Sequence, residues 1–312
     1  MKRTVFVILA VLLRTAFGQM TWTCATESAP WGSRSTHTSV VFHDTMWILG
    51  GSLVTTEADT EYNDVWYSTN GVNWTCLIES APWRPRFGHA SVVFNDKMWV
   101  LGGYYLLGGS YYRLNDVWWS SDGDSWVCAT DSAQWRRRAY AEAVVFDDKI
   151  WVLAGITDGG DDLRDVWYST DGANWTCATD SAPWVARDAP ALVVYNSNMW
   201  LMGGGVNLSG VMLNDVWTST DGAGWTCLAD SAPWQPRMIP QVVVFDGKMW
   251  LSGGGPDPEQ RHRLNDVWYS SKGDWTCAAD SAEWLPRGGH TSLAFDGKIW
   301  ILGAIPHRAL LL

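Results

Sequence analysis

Residues 230–237 read DSAPWQPR, and the same pattern returns five more times along the 312-residue chain. Its general form is acid, Ser, Ala, any residue, Trp, two residues, Arg. The six copies are Glu27/Trp31/Arg34, Glu79/Trp83/Arg86, Asp131/Trp135/Arg138, Asp180/Trp184/Arg187, Asp230/Trp234/Arg237 and Asp280/Trp284/Arg287. Set in register with this motif, the 24 tryptophans fall into columns. One column runs Trp22, Trp74, Trp126, Trp175, Trp225 and Trp275. A second is the motif tryptophan itself, and a third runs Trp47, Trp99, Trp151, Trp200, Trp250 and Trp300. Trp66, Trp118, Trp167, Trp217 and Trp268 make a five-member fourth, leaving only Trp119. Successive members of the first column are 52, 52, 49, 50 and 50 residues apart, so tryptophan marks one unit copied along the chain.

Each unit reads as four short strands. In the fifth, residues 241–245 (QVVVF) are β-branched and apolar, suiting a strand buried on both faces. Asp246-Gly247-Lys248 makes a hairpin turn, and 249–251 return as a second strand ending in Gly253-Gly254. After a variable loop, 266–269 form a third strand and 275–277 a fourth. The turns between strands three and four carry Asn70-Gly71, Asp122-Gly123, Asp171-Gly172, Asp221-Gly222 and Lys272-Gly273, and all but the last are residue pairs that tolerate positive φ. No helical period appears after the first residues, so the chain is expected to be all-β with four-stranded antiparallel sheets.

A Gly-Gly doublet after a β-branched strand, then an aromatic strand, then a tryptophan, repeated about every 50 residues, resembles the kelch repeat of the galactose oxidase/kelch-type propeller superfamily. The likeness spans residues 22–303, with two eroded doublets at Ala154-Gly155 and Gly303-Ala304. It implies a six-bladed β-propeller with the Val-Val-Phe strand innermost. Trp22-Thr23-Cys24 is a fourth strand that precedes any first strand, so it is expected to close the blade begun at 291–303. That last blade lacks its own third strand. Residues 308–312 (RALLL) are available to replace it; a truncated chain or an imperfect ring is the alternative.

Lys2 and Arg3, the apolar run 4–13 and Ala16-Phe17-Gly18 read as a secretory signal peptide over 1–18, with the propeller over 19–312. Secretion and an extracellular location are therefore expected. No later run approaches the roughly 20 apolar residues of a membrane span. Net charge is −11, and losing Lys2, Arg3 and Arg14 takes it to −14; such acidity argues against nucleic acid and anionic membranes as partners.

The six cysteines, Cys24, Cys76, Cys128, Cys177, Cys227 and Cys277, occupy equivalent outer positions on different blades. That is too far apart for the roughly 4.4–6.8 Å Cα separation of a disulfide, so they are expected to be free and buried. His37, His89 and His290 enter three adjacent innermost strands. Three such histidines suit zinc or copper, but the kelch pattern itself often carries histidine there, and no metal or cofactor is expected. The turn 169–175 resembles the Asp box of sialidases, one residue short, which is a turn-stabilising element. Glu142 is a single carboxylate on an innermost strand, without a partner, and no catalytic residue is assigned.

The acid–Trp–Arg motif carries two readings. In the first it locks the connection between blades, the acid fixing the turn and Trp and Arg packing on the next blade. In the second its six copies form a lectin-like surface, with indole under a sugar ring and the charged pair on the hydroxyls. The loops after the glycine doublets, 52–62, 104–114, 156–163, 205–213 and 255–264, vary most and are the expected place for recognition. One is aromatic (Tyr104, Tyr105, Tyr111, Tyr112), suiting a protein or glycan contact. Two are acidic (Glu57, Asp59, Glu61 and Asp158, Asp161, Asp162), as solvated charge or a weak calcium site. Asn73, Asn174 and Asn207 are glycosylation sequons; the first two lie in tight hairpins, so Asn207, in a longer loop, is the best acceptor if the source is eukaryotic. A binding module for a protein partner is the leading expectation and not an enzyme. A multivalent carbohydrate-binding protein comes second, and a secreted enzyme with a site at the axis third.

Overall fold

The computed structural model describes residues 10–14, 20–54, 59–257 and 262–303, and among them there is no helix. The chain is an all-β propeller of four-stranded antiparallel blades. Five blades are each built from one contiguous stretch. The first is β3 (Thr38–Phe42), β4 (Thr45–Val54), β5 (Asp59–Ser68) and β6 (Thr75–Ile78). The second is β7 (Ala90–Val93), β8 (Met98–Leu107), β9 (Ser110–Ser120) and β10 (Val127–Thr130). The third is β11 (Glu142–Phe146), β12 (Lys149–Leu153), β13 (Val166–Ser169) and β14 (Thr176–Thr179). The fourth is β15 (Ala191–Tyr195), β16 (Asn198–Val206), β17 (Val211–Ser219) and β18 (Thr226–Ala229). The fifth is β19 (Gln241–Phe245), β20 (Lys248–Ser252), β21 (Val267–Ser270) and β22 (Thr276–Ala279).

The expectation of six equivalent blades needs correcting. The remaining four-stranded sheet is a composite of both ends of the described chain, ordered β2 (Met20–Cys24), β1 (Ala10–Arg14), β24 (Lys298–Leu302) and β23 (Thr291–Phe295). Trp22–Cys24 is its outermost strand, as the repeat register implies. Its third strand comes from Ala10–Arg14, which pairs with β24 on one side and β2 on the other. The run read as an export signal therefore fills the place considered for residues 308–312, which lie outside the described residues. An apolar, β-branched run serves either purpose, and nothing in its composition separates the two.

The hydrophobic core lies between blades. Met46, Ile48 and Trp74 of the first blade share a cluster with Leu293, Trp300 and Leu302 of the composite sheet, and like clusters fill the other gaps. The third-column tryptophans make this packing directional. Each donates its indole N–H to the carbonyl that ends its own innermost strand, as Trp47 does to Phe42 at 3.1 Å. The rings of Trp47, Trp99, Trp151, Trp200 and Trp300 then cover the tight-turn glycine of the next blade. A Cβ on Gly222 would stand 2.2 Å from Trp151, so that turn needs glycine for the space as well as for its φ of +77°. Trp300 covers Gly71 in the same way and carries the contact from the composite sheet to the first blade.

The glycine doublet does not end the second strand. In the first, second and fourth blades the strand continues through a β-bulge into a projecting hairpin, with register shifts at Leu49/Gly51, Leu101/Gly103 and Met202/Gly204. The variable segments 104–114 and 205–213, and the described residues of 52–62, thus belong to extended paired strands and not to loops. The third and fifth blades stop short, at Leu153 and Ser252.

Removing residues 1–18 should detach β2 from its only described sheet neighbour and lower the thermal midpoint relative to the full chain. An unchanged midpoint for the chain beginning at Gln19 would mean that β1 contributes nothing to the composite sheet.

Candidate functional site

The repeated motif resolves into scaffold. All six motif tryptophans and all six arginines are buried, while Glu27, Glu79, Asp131, Asp180, Asp230 and Asp280 are exposed. In the five contiguous blades the arginine grips a different acid, the aspartate of the third strand about thirty residues on. Arg34 meets Asp64, Arg86 meets Asp116, Arg138 meets Asp165, Arg187 meets Asp215 and Arg237 meets Asp266, at 2.6–2.7 Å. Each pair is bidentate, and the second carboxylate oxygen also accepts the indole N–H two residues on, as from Trp217 to Asp215. The same guanidinium donates to the carbonyl of the first doublet residue, such as Gly203. Burial pushes the Asp116 and Asp165 carboxyls up, but the guanidinium and indole bonds outweigh it and hold both below the ordinary range.

The neighbouring asparagine clamps the rest of the motif: Asn214 Nδ2 donates to the carbonyls of Ala232 and Trp234. The motif acid fixes none of this. Asp230 accepts a bond from the Cys227 thiol at 3.2 Å; burial first, then this bond, raises that thiol to about 11. A lectin-like surface built on buried Trp31, Trp83, Trp135, Trp184, Trp234 and Trp284 is not what the fold presents. The cysteines form no disulfide among the described residues and are not buried: Cys24, Cys128, Cys177 and Cys277 are exposed and Cys76 and Cys227 half-buried, because the outermost strand has no described element over it.

At the axis, backbone N–H groups join successive blades at the residues entering the innermost strands. Thr36 donates to Gly289, Gly88 to Thr36, Tyr140 to Gly88, Ala189 to Tyr140 and Ile239 to Ala189, at 2.7–2.9 Å. Every one of these residues has positive φ, including β-branched Ile239 at +48°, a conformation only over-determined surroundings maintain. Above this belt lies a cavity of about 140 Å³ that reaches Glu142, Gln241 and the hydroxyls of Ser39, Ser91 and Ser292. Those three hydroxyls have no hydrogen-bond partner among the described residues. Desolvation raises the Glu142 carboxyl to about 8.

His37, His89 and His290 are buried beside the cavity as packing residues. Their rings or Cβ atoms stand where a side chain on Gly303, Gly51, Gly103 or Gly253 would be. His89 bonds Thr38 at 2.8 Å and His37 meets Thr291 at 3.3 Å. Burial drives all three well below the ordinary histidine value, so they are neutral. No metal-holding cluster of His, Cys, Asp and Glu is found among the described residues.

The variable hairpins rise on this same face, since the residue before each belt position pairs with the residue after each doublet: Phe87 with Tyr104, Ala139 with Ile156 and Asp188 with Gly205. Strand alternation sorts the four tyrosines onto two sides of one hairpin. Tyr105 stacks on Tyr112 at 5.4 Å, with Arg84 over the former. Tyr104 is buried between Phe87 and Tyr140 while Arg113 lies 4.4 Å over its ring. With Tyr111 these residues line an open aromatic cavity of about 340 Å³. Leu107, Tyr111 and Tyr112 on the second-blade tip and Leu208 and Val211 on the fourth-blade tip are exposed.

The acids of the variable segments latch one hairpin to the next. Glu61 accepts the N–H of Leu106, Asp158 that of Arg113 and Asp162 that of Asn207, at 2.8–2.9 Å. Each of these acids so engages one carboxylate oxygen, and no group of three acids able to hold a metal ion is found among the described residues; Glu57 lies outside them. Of the sequon asparagines, Asn174 bonds Asp171 and Asn207 bonds the Gly160 carbonyl, while Asn73 is exposed with only its backbone engaged, by Asn70. Asp188 escaped the sequence reading. Its one signal is an acid in a column otherwise occupied by Ser35, Phe87, Ala139, Met238 and Gly288.

No family model matches the chain. Over 106 residues, 32% of its length, it is 29% identical to the flagellar outer-arm dynein alpha chain of Chlamydomonas reinhardtii. Over 149 residues, 43% of its length, it is 28% identical to the leucine-zipper-like transcriptional regulator 1 homolog of Drosophila melanogaster. The matches span 2% and 14% of those two proteins. The solved structure of YjhT superposes with a TM-score of 0.71 at 17% identity, covering 90% of this chain and 93% of that one, a likeness of fold.

Glu142 makes stability depend on pH. Its folded value of about 8 exceeds the ordinary 4.5, so its contribution is fullest below the ordinary range and declines as pH rises to about 8. Glu142→Gln should therefore melt increasingly above wild type between pH 5 and pH 8, and a constant difference would refute the buried-carboxyl assignment.

Proposed function

We propose that this chain is an exported kelch-type propeller that works as a binding module, holding a protein partner on the face that carries its variable hairpins. The kelch assignment rests on the repeated doublet, aromatic strand and tryptophan, together with the shared Arg–Asp clamp. Export rests on the sequence of residues 1–18 alone, the basic pair Lys2-Arg3, the apolar run and the small residues Ala16 and Gly18. The observation that carries the function is the pair of apolar tips, Leu107/Tyr111/Tyr112 and Leu208/Val211, raised on either side of the shorter third blade. Exposed aromatic and aliphatic groups in one place, on hairpins latched rigidly to each other, favour a protein contact over solvation. Rigid hairpins also lose little conformational freedom on binding. Catalysis is not part of this reading.

A second reading is favoured by the axial cavity. A proton-bearing Glu142 and three hydroxyls without partners among the described residues suit a small polar ligand, and any reaction would take place there.

A photo-crosslinking residue placed at 111 or 208 should trap one partner species, while the same residue at Val127 on the outermost strand should not. Equal labelling from both places would sink the assignment of the face. Glu142→Gln should leave those crosslinks unchanged; losing them would move the site to the axis.

A further inference from the structure

Resting on the protein-binding reading, we infer that the slot between Asp188, Gly205 and Met212 receives a lysine side chain of the partner. The slot holds about 60 Å³ and is lined by Asp188, Gly205, Val206, Asn207, Met212 and Met238. At roughly 10–15 Å³ per water-sized group, that is room for roughly four to six heavy atoms, the length of an alkylammonium stem and head. Its chemistry is divided in the same way. Half-buried Met212 and Met238 offer polarizable apolar walls to methylenes. The inner end is the carboxylate of Asp188, a residue only 6% exposed.

Two carboxylate oxygens have no donor among the described residues, one in the slot and one on the segment that faces it. Asp188 Oδ1 and Asp162 Oδ1 are buried and without a hydrogen-bond partner among the described residues. Asp162 uses its other oxygen on the Asn207 N–H. The two acids lie on facing segments, since Leu163 bridges Arg187 next to them. Buried oxygens left unpaired are costly, and a bound ammonium would supply the missing donors and charge. Gly205 keeps the slot open. A Cβ there would lie 3.3 Å from Asp188 Oδ1 and 3.3 Å from the Met212 methyl. The site sits at the root of the hairpin whose tip exposes Leu208 and Val211, so a protein seated on that tip can lower a lysine into it.

The charged and titratable groups facing Asp188 are Asp162, Arg113, Tyr104 and Tyr140. Burial first, then Asp162, raises Asp188 to about 7, while Arg113 opposes the rise. Burial first, then Asp161, raises Asp162 to about 6, against the Asn207 bond. An ammonium prefers the ionised pair, so its affinity should climb as pH rises through this range.

The test is calorimetric titration of the full chain with Nα-acetyl-lysine methylamide, using the norleucine analogue as the uncharged control. Binding of the lysine probe alone, tightening tenfold or more from pH 5.5 to pH 8, is expected. Asp188→Asn should abolish it. Gly205→Ala, whose backbone conformation is ordinary, should block it sterically while leaving the melting curve near wild type. No binding of the lysine probe, equal binding of the norleucine analogue, or affinity independent of pH would overturn the inference. A lysine probe that fails to bind the wild-type chain, with crosslinks from 111 and 208 intact in both wild type and Asp188→Asn, would overturn it and leave the binding-face reading standing. Loss of crosslinks from wild type would remove that reading instead.

Discussion

A buried guanidinium holds each contiguous blade together. It spans two elements far apart in sequence: the carboxylate of the third strand and the carbonyl of the first doublet residue. In the blade of Arg237 those contacts reach Asp266 and Gly253. The guanidinium is cut off from water and the carboxylate nearly so, so each charge depends on the other and removing either partner is costly. This one requirement accounts for the persistence of Arg, Asp and Trp in every contiguous copy, with no ligand invoked, and it needs only the carbonyl of the first doublet position, which Ala154 supplies in the third blade. It also explains why the second strand bulges where it does, since the carbonyl at the bulge is the one the arginine takes.

The blades so fixed leave two kinds of freedom. At the axis, the belt of backbone bonds sets side chains from every blade around one cavity, where the repeat is broken by Glu142 and Gln241. At the rim of the same face, the strands beyond the bulge vary in length. The second and fourth blades project and the third does not, and latching acids hold these unequal hairpins in place. Function is read from what departs from the repeat: Glu142 on the axis, Asp188 in the slot and the apolar tips.

Much of the fold was legible. Tryptophan columns gave the unit, and Asn-Gly and Asp-Gly pairs gave the outer hairpins. The misplaced Trp22-Thr23-Cys24 gave the composite sheet. Partners within the unit were not legible, because Asp230 and Asp266 repeat with the same period and periodicity cannot say which of them Arg237 touches. Nor could it show that the strand continues past Gly51, Gly103 and Gly204, since a bulge needs only the residue that a turn also needs. Tyr111 and Tyr112 stood out by composition, whereas Asp188 matters only through the unpaired oxygen beside it, which no linear pattern displays. Ala10–Arg14 is the clearest limit, one apolar run that satisfies an export signal and a sheet strand equally well.

The most direct measurement of the scaffold claim is a double-mutant cycle on Arg187 and Asp215, followed by chemical denaturation. Each single change, Arg187→Met or Asp215→Asn, should cost about 3–5 kcal/mol because it strands a buried charge. The double change should cost far less than the sum of the two. Single variants of unchanged stability would contradict the account and return the motif arginine to consideration as a surface group.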